Sequence, residues 1–191
     1  MNILLLGEKS NLIINNIKKE GHNAVITNDK INKETAILYD FIISFGYRYI
    51  ITEDIIKAME NKIINLHISY LPYNKGADPN LWSYLEDTPK GVTIHYIDKG
   101  LDSGDILLQK IVKDNVNDTL KTSYDRLISE IVTLFNNNMN DLINNNIKAT
   151  KQANKGTIHY FKDKEKFNYL LEEKWYDTLV SHIKGKAVQY K

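Results

Sequence analysis

The chain has no cysteine among its 191 residues, so disulfide bonds and thiolate catalysis are excluded, while the redox compartment stays undetermined. It also lacks an excess of charge: 25 basic and 24 acidic residues leave a formal charge of +1. That balance gives no support to a broad nucleic-acid surface, leaves room for a local patch, and favours a small substrate over one of tRNA size. Long hydrophobic runs are missing. The opening MNILLLGEKS is too briefly apolar for a signal peptide or a membrane span, which predicts a cytoplasmic protein with no membrane association. There is no obvious metal-ligand cluster, no convincing internal repeat and no long low-complexity linker, although asparagine and lysine are abundant. The spaced glycines of a dinucleotide-binding GxGxxG turn are absent as well. In their place stands Gly7-Glu8-Lys9-Ser10. Lys9 and the helix terminus after it can attract a phosphate, or the segment is a plain surface turn.

What is present reads as one well-packed domain with a small terminal extension. Ile3, Leu4, Leu5 and Leu6 form a short run suited to a strand buried on both faces. Ser10 is placed to cap a helix through about Lys19, with Leu12, Ile13 and Ile17 on its apolar side and Gly21 at its end. Strands are expected at 23–27, 41–45 and 62–66, with a helix capped by Thr52 between the last two. Strand, helix, strand with short links favours a mostly parallel, doubly wound α/β sheet flanked by helices. Asp78 or Pro79 starts a further helix through Leu85, residues 91–96 have strand character, and 106–112 is a candidate antiparallel strand at the far side of the sheet. A long helix begins near Asp118 or Thr119, where Leu120, Tyr124, Leu127, Ile131, Leu134 and Phe135 recur near helical spacing. Asn136–Asn138 weakens its end. The predicted division is 1–146 as the catalytic domain and 147–191 as an extension with short helices packed on the same domain.

The polar residues of chemical interest lie at the end of the fourth strand. In KIINLHISYLP, alternation puts Asn65 and His67 on one side near the C-terminal end, and Pro72 stops the run. Asp102 follows in GLDSGD. An amide donor, an imidazole and a carboxylate are the groups needed to stabilise an oxyanion, move a proton and orient the imidazole. The alternative for each is structural: an asparagine satisfying loop backbone, a partly buried histidine, an aspartate capping Gly104 or the next segment.

Asn65-Leu66-His67, Ser69, Leu71-Pro72, Gly76 and the later Gly100-Leu101-Asp102-Ser103-Gly104 resemble the folate-dependent formyltransferases. That family includes glycinamide ribonucleotide transformylase, methionyl-tRNA formyltransferase and the sugar N-formyltransferases. The match covers residues 36–113 closely and the first strand loosely, and Ile68 stands where the family usually has a proline. The resemblance implies a Rossmann-like formyltransferase fold, N10-formyltetrahydrofolate as formyl donor, and Asn65, His67 and Asp102 as catalytic residues. It further implies folate-facing loops at Tyr47, Arg48, Tyr49, Ile50 and Ile51 and at Ile97, Asp98, Lys99, Gly100 and Leu101. Ile50 and Ile51 would meet the faces of the pterin; Arg48 would meet a carboxylate or phosphate, or simply face solvent. The polar cluster Ser69, Tyr70, Asn74, Lys75, Gly76, Asp78 and Asn80 is the candidate acceptor site, or a set of turn residues.

The acceptor is expected to be the primary amine of a small molecule. The tail 147–191 is short beside the RNA-binding domain usual in methionyl-tRNA formyltransferases, and the glycine-and-asparagine phosphate loop of glycinamide ribonucleotide transformylases is missing. YNKGADPNLWSYL followed by KGVTIHYID is closer to enzymes acting on nucleotide-linked amino sugars. Glycinamide ribonucleotide is the second expectation, and a non-catalytic folate-binding or interaction protein the third. Trp82 is read as a core anchor, and Trp175 as packed in the tail or stacked on a base. No stable nucleic-acid partner is expected; the oligomeric state is left open, with a homodimer as one alternative by analogy with some sugar-modifying relatives.

Overall fold

The computed structural model describes residues 1–153 and 155–188. β1 (Asn2–Leu6) leads through a 3-10 turn (Glu8–Leu12) into α1 (Ile14–Lys19) and β2 (Asn23–Thr27). Next come α2 (Lys33–Ala36), β3 (Phe41–Ser44), α3 (Glu53–Ala58) and β4 (Ile63–His67). A two-residue strand, β5 (Lys75–Gly76), precedes α4 (Pro79–Leu85), β6 (Gly91–Tyr96) and β7 (Ile106–Ile111). The long helix α5 (Leu120–Ile143) is followed by β8 (Ile158–His159), two 3-10 segments and α6 (Val180–Ile183).

The main sheet has the order β2-β1-β3-β4-β6-β7. β2, β1, β3 and β4 are parallel, while β6 and β7 join as antiparallel strands, β7 at the edge. The chain adds β2 on one side of β1, then crosses back to add β3 on the other. The winding therefore reverses between β1 and β3, and such a reversal opens a crevice beyond the carboxyl ends of the strands.

Alternation sorts the core onto two faces. Ile3 and Leu5 of β1, Phe41 and Ile43 of β3, and Ile64 and Leu66 of β4 pack beneath α1 and α5. Leu4, Leu6, Ile42 and Ile63 pack on the opposite face with Ile55 and Met59. A third cluster joins Leu81, Trp82 and Leu85 of α4 to Leu120 and to Phe167, Val180 and Ile183 of the tail.

Three local expectations are corrected. Ser10 does not cap α1: its buried hydroxyl donates to the Leu6 carbonyl, and Leu12 is exposed. Asn136–Asn138 does not weaken α5, because buried Met139, Leu142 and Ile143 hold the next turn. Tertiary burial there outweighs the modest helix propensity of asparagine. The tail adds a strand, β8, that no periodicity announced.

Candidate active site

The carboxyl ends of β1, β3 and β4 open into a cleft of about 890 Å³. Lys9 lines it from the turn after β1, Phe45 to Arg48 from the turn after β3, and Asn65 and His67 from β4 itself. α4, the first turns of α5 and the tail form the remaining walls. Because Ile64 and Leu66 are committed to the α5 face, Asn65 and His67 turn to the other one.

Asp102 completes the trio from the loop between β6 and β7. Its backbone lies in the left-handed region at φ 47°, which aspartate tolerates better than most residues. Its Oδ2 accepts from the Gly76 N–H at 2.8 Å and stands 3.6 Å from His67 Nδ1. Its Oδ1 accepts from Asn65 Nδ2 at 3.2 Å and stands 3.5 Å from His95 Nε2. Burial opposes ionisation of Asp102, but His67, His95 and the Gly76 N–H outweigh it and hold the carboxyl well below the ordinary carboxylate range. Burial pushes the His67 imidazole below its ordinary value, against the pull of Asp102 and with the help of His95.

The protons follow from the partners. His67 Nε2 lies 3.3 Å from the Asn74 carbonyl, which can only accept, so Nε2 carries hydrogen. Nδ1 faces the ionised Asp102 carboxylate, which likewise only accepts, so a ring protonated on both nitrogens forms an ion pair there. His95 Nδ1 donates to the Tyr96 carbonyl at 2.8 Å, and its Nε2 stands 3.3 Å from Asn65 Nδ2 and 3.5 Å from Asp102 Oδ1. The Asn65 amide is thereby held between Asp102 and His95.

The structure divides the residues singled out from the sequence. Tyr47, Arg48, Leu101, Gly76, Asp78 and Asn80 line the cleft with the trio, whereas Tyr49, Ile50, Ile51, Ile97, Asp98, Lys99 and Gly100 do not. Ile50 is 83% exposed, and Ile51 is buried against α3 in the core, so their side chains do not form the paired faces expected of them. Tyr47 pins its loop by donating to the Asp29 carbonyl and accepting from the Ile31 N–H. Arg48 pairs with Glu8 at the surface. Asp98 ties its own loop together by accepting from the Gly100 N–H and the Ser103 hydroxyl.

Ser69, Tyr70, Asn74 and Lys75 lie off the cleft and build the loop that supports it. Ser69 donates to the Tyr73 carbonyl, Asn74 donates to Thr88, Tyr70 packs beside Gly91, and Lys75 is buried. Asn80 lines the cleft but spends both ends of its amide on the Leu120 carbonyl and the Ser123 hydroxyl.

Sequence reasoning missed His95 and His159. His95 is the cross-strand partner of Asn65 in the β4–β6 pair, and no local signal reveals that register. His159 stacks on Trp82 with ring centroids 3.8 Å apart and lies 3.4 Å from Glu86, in a tail strand too short to show a period. Among the described residues, no group of three or more His, Asp or Glu side chains is arranged to hold a metal ion, and no helix is long and apolar enough to cross a membrane.

The family model described as formyl transferase matches residues 16–136. Over 109 residues the chain is 36% identical to the bifunctional polymyxin resistance protein ArnA of Wigglesworthia glossinidia brevipalpis, covering 56% of this chain and 17% of that protein. Over 155 residues it is 29% identical to the methionyl-tRNA formyltransferase of Clostridium tetani, covering 79% of this chain and 50% of that protein. The chain thus spans half or less of the length of such curated relatives. Along 98% of this chain and 100% of the other, it is 49% identical, at a TM-score of 0.93, to the formyltransferase PseJ from Anoxybacillus kamchatkensis, solved in complex with UDP-4,6-dideoxy-4-formamido-L-AltNAc and tetrahydrofolate. The N-formyltransferase from Helicobacter canadensis, solved with folinic acid and dTDP-3-aminofucose, shares the fold at a TM-score of 0.75 and 23% identity, over 99% of this chain and 82% of that one.

Proposed function

The chain belongs to the formyl transferase family, and from that premise we propose that it transfers a formyl group from N10-formyltetrahydrofolate to the primary amine of a nucleotide-linked amino sugar. The observation that carries this reading is the convergence of Asn65, His67 and Asp102 on one cleft. Supporting it is the end-to-end likeness to PseJ, a protein solved with a UDP-linked formamido sugar and tetrahydrofolate.

The cleft fits two ligands of these kinds. Its volume of about 890 Å³ is at the upper end for small-molecule sites, and Phe45, Leu66, Ile68 and Leu101 supply apolar lining beside the polar trio. Lys9 lines the cleft over the Tyr124 ring, at 5.3 Å from its centroid, with no ion-pair partner among the described residues. It is available to an anion, and the acceptor's diphosphate is the one we assign to it.

The donor supplies an electrophilic formyl carbon. In the exchange, the amine nitrogen bonds to that carbon while the bond from the folate nitrogen breaks; one proton leaves the amine and one is returned to the folate nitrogen. Asn65 exchanges its long contact to His95 for one to the formyl oxygen as negative charge develops there. His67 accepts a proton at Nδ1, where Asp102 stabilises the imidazolium. His67, His95 and the N–H of Gly76 keep Asp102 ionised for that purpose.

Formyl transfer should be measured with N10-formyltetrahydrofolate and, in parallel, UDP-linked amino sugars, glycinamide ribonucleotide and methionyl-tRNA. Turnover with an amino-sugar nucleotide well above the other two is the expected result. Preference for either of the others would overturn the acceptor, and folate binding with no transfer to any amine would overturn the enzymatic reading.

A further inference from the structure

The tail carries two kinds of aromatic residue. Phe167 is buried with Leu81, Trp82 and Ile183, and it anchors the tail to α4 and α5. Phe161 and Trp175 are 69% and 42% exposed, yet both line the cleft, beside Tyr160 and Tyr176. Packing of the tail therefore does not account for them. One cation braces the pair: Lys164 Nζ stands 4.3 Å from the Phe161 ring centroid and 5.5 Å from that of Trp175. The same ammonium is held by Asp78 Oδ2 at 2.8 Å, at the start of α4. The turn bearing Trp175 packs on α5, the helix whose Tyr124 lies under Lys9. One cleft thus holds a cation with no ion-pair partner among the described residues and two braced, open rings, the kinds of group that a diphosphate joined to a planar base would meet.

We infer that Phe161 and Trp175, braced by Lys164, are the subsite for the base of the acceptor nucleotide. The inference rests on the nucleotide-linked acceptor proposed above and assigns its recognition to the tail, outside the segment matched by the family model. A pterin is the competing planar ligand. The carboxyl-end turn after β3 and Leu101 already offer it a separate wall, which leaves the tail rings to the acceptor. Stacking reads a planar face with little regard to base identity, so the rings supply affinity for a nucleotide rather than choice of base.

UDP is the probe. Binding is measured by calorimetry and by quenching of tryptophan fluorescence, the buried Trp82 serving as the unquenched background. In the Phe161→Ala/Trp175→Ala double variant, UDP affinity should fall roughly tenfold or more, the scale of base–aromatic stacking. Pyrophosphate, which has no base, and tetrahydrofolate should bind as to the wild type. Trp175→Phe should keep the affinity and lose the quench. With a UDP-linked amino sugar, the double variant should raise KM and leave kcat nearly unchanged. Unchanged UDP affinity in the double variant would overturn the inference, as would an equal loss of tetrahydrofolate binding. A loss of dimer in sedimentation without loss of UDP binding would give the rings to a second copy of the chain instead. The two proposals fail separately. UDP binding that depends on the rings in a protein inactive in formyl transfer sustains the base subsite and removes the activity; formyl transfer by a protein that does not bind UDP does the reverse.

Discussion

Asp102 receives one backbone and one side-chain hydrogen bond and faces two imidazoles, all on a single carboxylate. An amide in its place keeps the size but removes the charge and turns one acceptor into a donor. Asp102→Asn should therefore lower single-turnover formyl transfer by about a hundredfold or more, with the fold and tetrahydrofolate binding kept and the thermal midpoint at neutral pH lowered by loss of the carboxylate's own contribution. Near-normal turnover in a folded variant would reject the assignment. His67 makes a second, independent prediction. Its folded value lies below 6.5, so as pH falls through 6.5 the unfolded chain binds a proton that the folded chain resists, and stability drops. Asp102 is also depressed, so its contribution is present above 3.8 and is lost as pH falls toward its lower folded value. His67→Gln should flatten the pH dependence of the denaturation midpoint just below 6.5 and leave the more acidic fall in place. A wild-type midpoint that is flat or rising as pH drops below 6.5 would contradict the burial argument.

At the scale of elements, the pairing of β5 with β8 ties the tail to the loop whose Gly76 N–H meets Asp102. Gly76 makes this approach possible: at φ 88°, a Cβ there would meet the His159 carbonyl at 2.3 Å. Its N–H is also the donor to Asp102. Gly76→Ala should thus act on both properties, destabilising by about 1–3 kcal/mol through strain and displacement, which is several degrees in Tm for a chain of this length. Turnover should fall at temperatures where the variant remains folded. A calorimetric scan with a parallel assay tests this, and an unchanged Asp102 activity profile would separate the turn from the site. Neither two-residue strand was legible, since two residues carry no period. By contrast α5 was legible, because its buried positions recur every three or four residues and its Thr119/Thr122 capping box is local.

Across the whole molecule, the third cluster joins residues from α4, α5 and the tail into one apolar unit. Residues 147–191 accordingly should unfold with the rest, as the extension of one domain. Ile183→Ala, at a fully buried position, is expected to cost about 2–5 kcal/mol and to shift a single transition. Far-UV circular dichroism and the fluorescence of Trp82 should report the same midpoint. An earlier, separate transition of the tail would show instead that it is independently docked.

The sequence by itself determined the strand and helix pattern, the commitment of alternate strand residues to opposite faces, and the Asn65, His67 and Asp102 positions by resemblance to a family. These are local properties, set by side-chain alternation, helical spacing and short motifs. Only the tertiary structure decided that His95 stands across from Asn65, that the Gly76 N–H reaches Asp102, and that Lys75 and Asn74 turn inward while Phe161 and Trp175 stay open beside the cleft. Each of those depends on strand register or on contacts between segments far apart in the chain, and the winding that brings such segments together is selected by the packing of the whole core.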